Sequence, residues 1–260
     1  MTLITLDIAI YLLTTFLLVG LLKNRGQQPW LLASYGALSI AMILHAIILS
    51  HQILHHESLN IGALKALSLT AFIMLIIGVP YIKQHLNTVI ILTLFAALTL
   101  FLSSFQSENR VDAPDTLLGL HIVTSMVAYS LLLLASIQAV LVYLRDRALK
   151  GHRLFLIDRL PPILRMESLL FRLLSVGFLL LTISIITSIA FFDLWFTRPF
   201  AHKTVLTGAA WVLYGGILAS HYFWGILGRF AAKFVVITSL LLLLGITGTR
   251  LIQELIFHRV

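Results

Sequence analysis

Histidine is the residue type in this chain whose number and position point to chemistry. The 260 residues include ten histidines and no cysteine, and 60% of them are hydrophobic. A neutral imidazole in apolar surroundings can ligate a haem iron or another metal, or it can hydrogen-bond to a neighbouring helix. The lack of cysteine excludes disulfides, a thiolate nucleophile and a Cys-ligated metal. His45 and His121 stand out because both fall inside long apolar segments.

The segments that carry these histidines are long enough to cross a membrane. Only 11% of the residues are charged and the mean hydropathy is +1.02, which excludes a water-soluble enzyme, a disordered chain and a nucleic-acid module. A helix needs about 20 mostly apolar residues to cross hydrocarbon about 30 Å thick. The sequence therefore predicts an all-α polytopic bundle, a single transmembrane domain over residues 1–260. The eight predicted spans are approximately 3–22, 30–50, 62–82, 87–104, 117–144, 169–192, 204–221 and 230–252.

The distribution of lysine and arginine predicts an orientation. Twelve of the 18 basic residues fall in the loops on one side of the predicted bundle, half of them in the longest loop, 145–168. Because basic loops stay in the cytoplasm, both termini are expected outside a bacterial plasma membrane. The loop's LFLIDRLPPILRM stretch is either an amphipathic segment at the lipid headgroups or a solvated basic loop that only sets topology. Membrane lipid, and not nucleic acid, is the partner that this charge pattern predicts.

The predicted spans place His45 and His121 at one depth. His45 lies about five residues before the outer end of the second span, and His121 about four residues after the outer start of the fifth. Each is therefore about 6–8 Å below the outer edge of the hydrocarbon. Two imidazoles at one depth on different helices could hold one haem iron between them. In the alternative interpretation, each donates a hydrogen bond to a carbonyl, serine or threonine of a neighbouring helix.

Other histidines allow further sites. His51, His55 and His56 in HQILHHES form either a metal site or part of a solvated loop. His221 ends the seventh span, where it could ligate a second, inner cofactor or extend to the membrane interface.

Two cations of the predicted outer face could also bind a ligand. Arg198 and Lys203 could pair with ligand carboxylates, with Asp193 or with lipid phosphate. Trp211 lies among small residues that favour close helix packing.

Familiar catalytic and transport patterns are missing from the sequence. It contains no HExxH, GxSxG, Walker or dinucleotide-binding motif, so we expect no enzyme activity. Asp7 is alone near the start of the first span, and no pair of intramembrane acids suggests proton-coupled transport. A small-molecule transporter is disfavoured on this ground.

Three stretches resemble a known family. LLGLHIVTSMVAYS (117–130) is similar to the segment of the CcsA/HemX-type cytochrome c assembly family in which a membrane histidine precedes a tyrosine by eight residues, here His121 and Tyr129. The stretch 160–188 resembles that family's loop proline followed by GFPLLTLGIITG. The stretch 203–221, KTVLTGAAWVLYGGILASH, resembles its KETW-x-x-I-T-W-x-x-Y-A pattern with a following histidine. The small eight-span YpjD-type inner-membrane members are the most similar in size, and the resemblance is strongest over 117–260.

The resemblance implies haem b binding or haem handling at the outer face, in support of cytochrome c assembly or a related envelope process. It implies that His121 is an outer haem ligand and His221 a ligand within the membrane, while His45 is added from its depth alone. Aromatic side chains would cover the macrocycle, and cations would meet its propionates. The aromatic candidates are Tyr129, Trp195, Phe200 and Trp211, and the cationic candidates are Arg198 and Lys203.

One departure from the family motivates a second hypothesis. Full-length members carry a tryptophan-rich outer loop ending in WDPKETW, whereas this chain has FFDLWFTRPFAHKTVL, which keeps Trp195 and Lys203 but few tryptophans. The chain could therefore be a scaffold or accessory subunit without haem, in contact with other assembly or envelope proteins. In that case its histidines would be hydrogen-bonded core residues.

Overall fold

The computed structural model describes residues 2–23, 28–55, 58–60, 62–105, 110–112, 116–151, 160–191, 201–226 and 228–245. Within these ranges the chain forms eight α-helices. They are Thr2–Lys23 (α1), Gln28–Ile53 (α2), Ala63–Gly78 (α3), Leu86–Ser103 (α4), Thr116–Lys150 (α5), Ile163–Phe191 (α6), Ala201–Trp224 (α7) and Gly228–Leu243 (α8).

The helical fold agrees with the prediction, because each predicted span overlaps one of these helices. Within the described ranges, six helices are long and apolar enough to cross a membrane: α1, α2, α4, α5, α6, and α3 together with the 3-10 turn Val79–Tyr81. The count of eight membrane spans and the outer location of the termini stay predictions.

The helices on both sides of the predicted 145–168 loop extend into it. Helix α5 continues to Lys150, six residues beyond the predicted end of its span, and α6 begins at Ile163 directly after Pro161 and Pro162. Asp146 and Lys150 form an ion pair of 2.7 Å one turn apart, which supports the extension of α5. Prolines are favoured just before and at a helix start, which explains where α6 begins.

The chain divides into two compact units, Met1–Pro114 and Asp115–Val260, called here the N-terminal and the C-terminal unit. In the N-terminal unit, α1 packs against α2 and α4, and α3 packs against α4 and α2. Leu18, Leu38, Leu75 and Leu100 are fully buried there. The single-domain prediction stays a prediction, and the C-terminal unit coincides with the stretch of strongest family resemblance.

A small antiparallel sheet in the N-terminal unit was not expected, because the sequence analysis assigned these residues to loops. Its strands are Leu54–His55 (β1), Ser58–Asn60 (β2) and Arg110–Asp112 (β3), in the order β1-β2-β3. Leu54 pairs with Leu59, and Leu59 with Val111. The fold is thus helical with this one addition in the described part of the chain.

In the C-terminal unit, α5 packs against α6 and α8, and α7 packs against α8 and α6. Gly177 of α6 permits a close approach to α5, because an added Cβ would lie 2.9 Å from Leu132. Side chains from all four helices fill the core: Leu132, Leu170, Leu174, Tyr214 and Leu242 lie there with almost no exposure.

Candidate functional site

His45 is held inside the N-terminal unit by two hydrogen bonds. Its Nδ1 lies 2.9 Å from the Tyr11 hydroxyl of α1, and its Nε2 lies 3.0 Å from Ser68 Oγ of α3. The ring centroid is 5.2 Å from that of Phe72, and the side chain is fully buried. These contacts link three helices through one imidazole. Because both ring nitrogens are engaged, ligation of an iron by His45 would require the release of one hydrogen bond.

His121 joins α5 to α6 in the C-terminal unit. Its Nδ1 lies 3.2 Å from Thr187 Oγ1 near the end of α6. One turn further along α5, Ser125 and Ser184 share a hydrogen bond of 2.6 Å. The imidazole is half-buried. Two polar contacts therefore fix the side of α5 that carries His121 against the last turns of α6.

His221 is built into the C-terminal cap of α7. Gly225 adopts a left-handed φ of 63°, and the amides of Gly225 and Ile226 bond back to the carbonyls of His221 and Ser220 at 2.9 and 3.4 Å. The bond from Gly225 to His221 is that of an αL cap, in which glycine is favoured because a Cβ would be strained. The turn brings the Ile226 carbonyl to 2.8 Å from Nδ1 of His221.

The cap decides which nitrogen of His221 carries the proton. A carbonyl oxygen only accepts, so Nδ1–H must be the donor and the neutral ring keeps its lone pair on Nε2. Nε2 has no hydrogen-bond partner within the described ranges. The ring is stacked on Phe171 of α6, with centroids 3.4 Å apart and planes 8° from parallel. Histidine ligands of metals are typically oriented in this way, by a backbone carbonyl on the other nitrogen.

His121 and His221 lie at opposite ends of α6. The first contacts Thr187 and the second contacts Phe171, sixteen residues apart on that helix. At a rise of about 1.5 Å per residue, this separation is about 24 Å. The C-terminal unit therefore presents two separate histidine positions, called here the His121 end and the His221 end.

Trp211 lies between these two ends. Its indole Nε1–H donates to Thr182 Oγ1 at 2.8 Å, and the indole is stacked on Phe178 with an angle of 18° between the planes. Tyr129 is buried in α5 and its hydroxyl forms a hydrogen bond with the Thr207 side chain. Both candidate aromatic residues are thus engaged in contacts between helices of the C-terminal unit.

Several predicted residues lie outside what the structure describes. Trp195, Arg198 and Phe200 fall in the undescribed range 192–200, and of Lys203 only the backbone, in α7, is described. His56 and the side chain of His55 are also outside, while His51 is exposed in the last turn of α2. His45 and His121 belong to different units, so their pairing across one iron stays a prediction.

Comparison with known proteins decides the family. A family model described as cytochrome C assembly protein matches residues 39–257, which includes most of both units. The chain belongs to this cytochrome C assembly family. It is 28% identical over 246 residues to the inner membrane protein YpjD of Escherichia coli (strain K12), covering 91% of this chain and 92% of the relative. It is also 30% identical over 197 residues to an uncharacterized 28.8 kDa protein of Azospirillum brasilense, covering 75% of this chain and 69% of that protein. No solved structure matches it.

The partners of the histidines in this family member were not apparent from the sequence. Tyr11 and Ser68 were not singled out, although Asp7, Tyr11 and Thr14 recur at helical spacing on α1 and are all buried. Gly225 was missed too, although a glycine four residues after a histidine at a helix end is typical of a C-terminal cap. Phe171 carried no signal in the sequence, because its contact with His221 depends on tertiary packing.

Proposed function

We propose that this multi-pass membrane protein handles haem in a role related to cytochrome c assembly, with His221 as an iron ligand. The observation that carries the proposal is the hydrogen bond from Nδ1–H of His221 to the Ile226 carbonyl. It leaves the lone pair on Nε2 and orients the ring, as second-shell contacts do for metal-bound histidines. Haem, when bound, would supply an iron centre that an imidazole nitrogen can hold. Family membership supports haem as the group handled.

The remaining residues of the proposal have supporting roles. His121 is the candidate ligand at the other end of α6, where Thr187 orients its ring. Tyr129 and Trp211 are candidates to line the macrocycle, and Arg198 and Lys203 to meet its propionates. The proposal needs no covalent chemistry and therefore assigns no catalytic residue.

We further propose the bacterial inner membrane as the location, with both termini on the outer side. The relative YpjD is named an inner membrane protein, and the described chain has six helices suited to spanning. The partners proposed are lipid and other cytochrome c assembly or envelope proteins.

An absorption spectrum of the purified protein tests the proposal. The wild type, produced with haem supplied and purified in detergent, is expected to show a Soret band that His221→Ala loses or shifts. His51→Ala is the matched control, because His51 is exposed at the end of α2, and it is expected to keep the band. A wild type without a Soret band would contradict haem binding. The band could instead be lost in His45→Ala and in His121→Ala but kept in His221→Ala. That result would assign the iron to His45 and His121 and refute His221 as the iron ligand.

A scaffold without haem is the second candidate function. It is favoured by His45, whose two ring nitrogens are both satisfied by neighbouring helices as expected of a core residue. Under this function His45→Ala would weaken the fold of the N-terminal unit, and purification would recover a partner protein without haem. Retained function in His121→Ala and His221→Ala would support the scaffold over the haem proposal.

A further inference from the structure

A carboxyl group that has no partner among the described residues lies inside the N-terminal unit. Helix α1 buries one stripe of side chains that includes Asp7, Tyr11 and Thr14. Asp7 is fully buried, and neither of its carboxyl oxygens has a hydrogen-bond partner among the residues that the structure describes. Neighbouring threonines of the same helix, by contrast, satisfy their hydroxyls on backbone carbonyls one turn earlier. The hydrogen-bonding capacity of the Asp7 carboxyl group is therefore unsatisfied within the described residues.

No charged group of the described chain neutralises Asp7. Of the helices packed against α1, α4 has no ionisable residue, and α2 contributes Tyr35, His45 and His51. On α3, Lys65 is buried two residues after the helix start. Asp7 forms no ion pair with any of these groups. A metal ion is not favoured either, because the described residues contain no group of three or more metal-ligating side chains.

Burial without a partner dictates the protonation state. An isolated carboxylate in hydrocarbon costs several kcal/mol, so such a group takes up a proton and becomes neutral. Tyr11 lies one turn further along the same face and is not hydrogen-bonded to Asp7 in the described structure. Its hydroxyl begins a hydrogen-bonded chain that continues through His45 to Ser68. Both hydroxyls can donate or accept, and the imidazole has two neutral tautomers, so the chain can run in either direction. A chain that can reverse its direction in this way is suited to passing a proton between helices.

We propose that Asp7 is a proton-binding site within the membrane and that its proton exchanges through Tyr11, His45 and Ser68 when the carboxyl group turns to meet the Tyr11 hydroxyl one turn away. The occupant is a proton, taken up by the carboxylate oxygen and released again without any redox step. This site lies in the N-terminal unit and is independent of the haem proposal for the C-terminal unit.

Carbodiimide labelling and infrared spectroscopy of the full-length protein in lipid vesicles test the site. Dicyclohexylcarbodiimide reacts with protonated carboxyl groups in apolar surroundings, so peptide mass spectrometry is expected to find Asp7 labelled. Above the midpoint, labelling should fall about tenfold per pH unit, as the protonated fraction does. Asp146, which pairs with Lys150 and Arg229, is the matched acid and is expected to stay unlabelled. Asp7→Asn should lose the label and also the infrared band of a protonated carboxyl.

The contrary outcomes are distinct. Protection of Asp7 by sodium or magnesium ions at constant pH would assign the site to a cation and overturn the proton as occupant. Absence of both the label and the infrared band would show an ionised carboxylate and overturn the proposal. For the route, Tyr11→Phe keeps the ring and removes the hydroxyl, and it is expected to abolish the fast phase of carboxyl hydrogen–deuterium exchange. An unchanged exchange rate in a folded Tyr11→Phe protein would overturn the route.

Discussion

Replacement of Gly225 tests whether the C-terminal cap of α7 orients His221. Gly225 has a φ of 63°, and an added Cβ would meet nothing within 4 Å, so the effect of alanine comes from the backbone and not from a clash. A left-handed conformation costs a non-glycine residue about 1–2 kcal/mol. Gly225→Ala is therefore expected to raise the population of the open cap by a factor of about 5–30. The released cap would no longer hold the Ile226 carbonyl against His221 Nδ1.

Hydrogen exchange measures this opening. The amides of Gly225 and Ile226 are bonded to carbonyls of α7, and their exchange rate follows the open fraction of the cap. In Gly225→Ala the Ile226 amide is expected to exchange about 5–30 times faster. Gly225→Asn is the matched control, because asparagine tolerates the left-handed region, and it should exchange nearly as slowly as wild type. Equal protection in the alanine and wild-type proteins would refute the reasoning, as would equally fast exchange in both variants.

Two further predictions concern packing in the C-terminal unit. Gly177→Ala places a Cβ 2.9 Å from Leu132. The overpacking should destabilise the fold by about 1–3 kcal/mol, and the better helix propensity of alanine should return about 1 kcal/mol of that. Gly208→Ala is the control: because the space around Gly208 is open, this variant should not lower the thermal midpoint in detergent. Trp211→Phe removes the 2.8 Å bond to Thr182 and should cost about 0.6 kcal/mol and at most about 1.7. A double-mutant cycle with Thr182→Val measures that term, and a coupling of zero would contradict the bond.

The helices could be predicted from the sequence because the requirement that produces them is local. A stretch of about 20 apolar residues satisfies its own backbone in lipid only as a helix. Helix ends outside hydrocarbon follow other rules, so α5 continues through charged residues to Lys150. The strand pairing of 58–60 with 110–112 joins residues far apart in the chain, so no local sequence pattern predicts it.

The candidate site was less predictable, because hydropathy gives the depth of a side chain but not the direction in which it points. The hydropathy pattern placed His45 within an apolar helix. Its hydrogen bonds to Tyr11 and Ser68, however, depend on how α1 and α3 pack against that helix. The resemblance singled out His121 and His221, but the Phe171 contact and the cap that orients His221 required the fold.

The separation of the two histidine ends constrains any haem chemistry of the C-terminal unit. Contacts with Thr187 and Phe171 hold His121 and His221 about 24 Å apart along α6. Ligands of one iron atom all contact it directly, so two residues this far apart would not hold the same iron. If both histidines hold haem, each end would hold its own. Removing either histidine should then abolish one part of the Soret absorbance and leave the other part unchanged. Complete loss of the band in both single variants would contradict two independent sites.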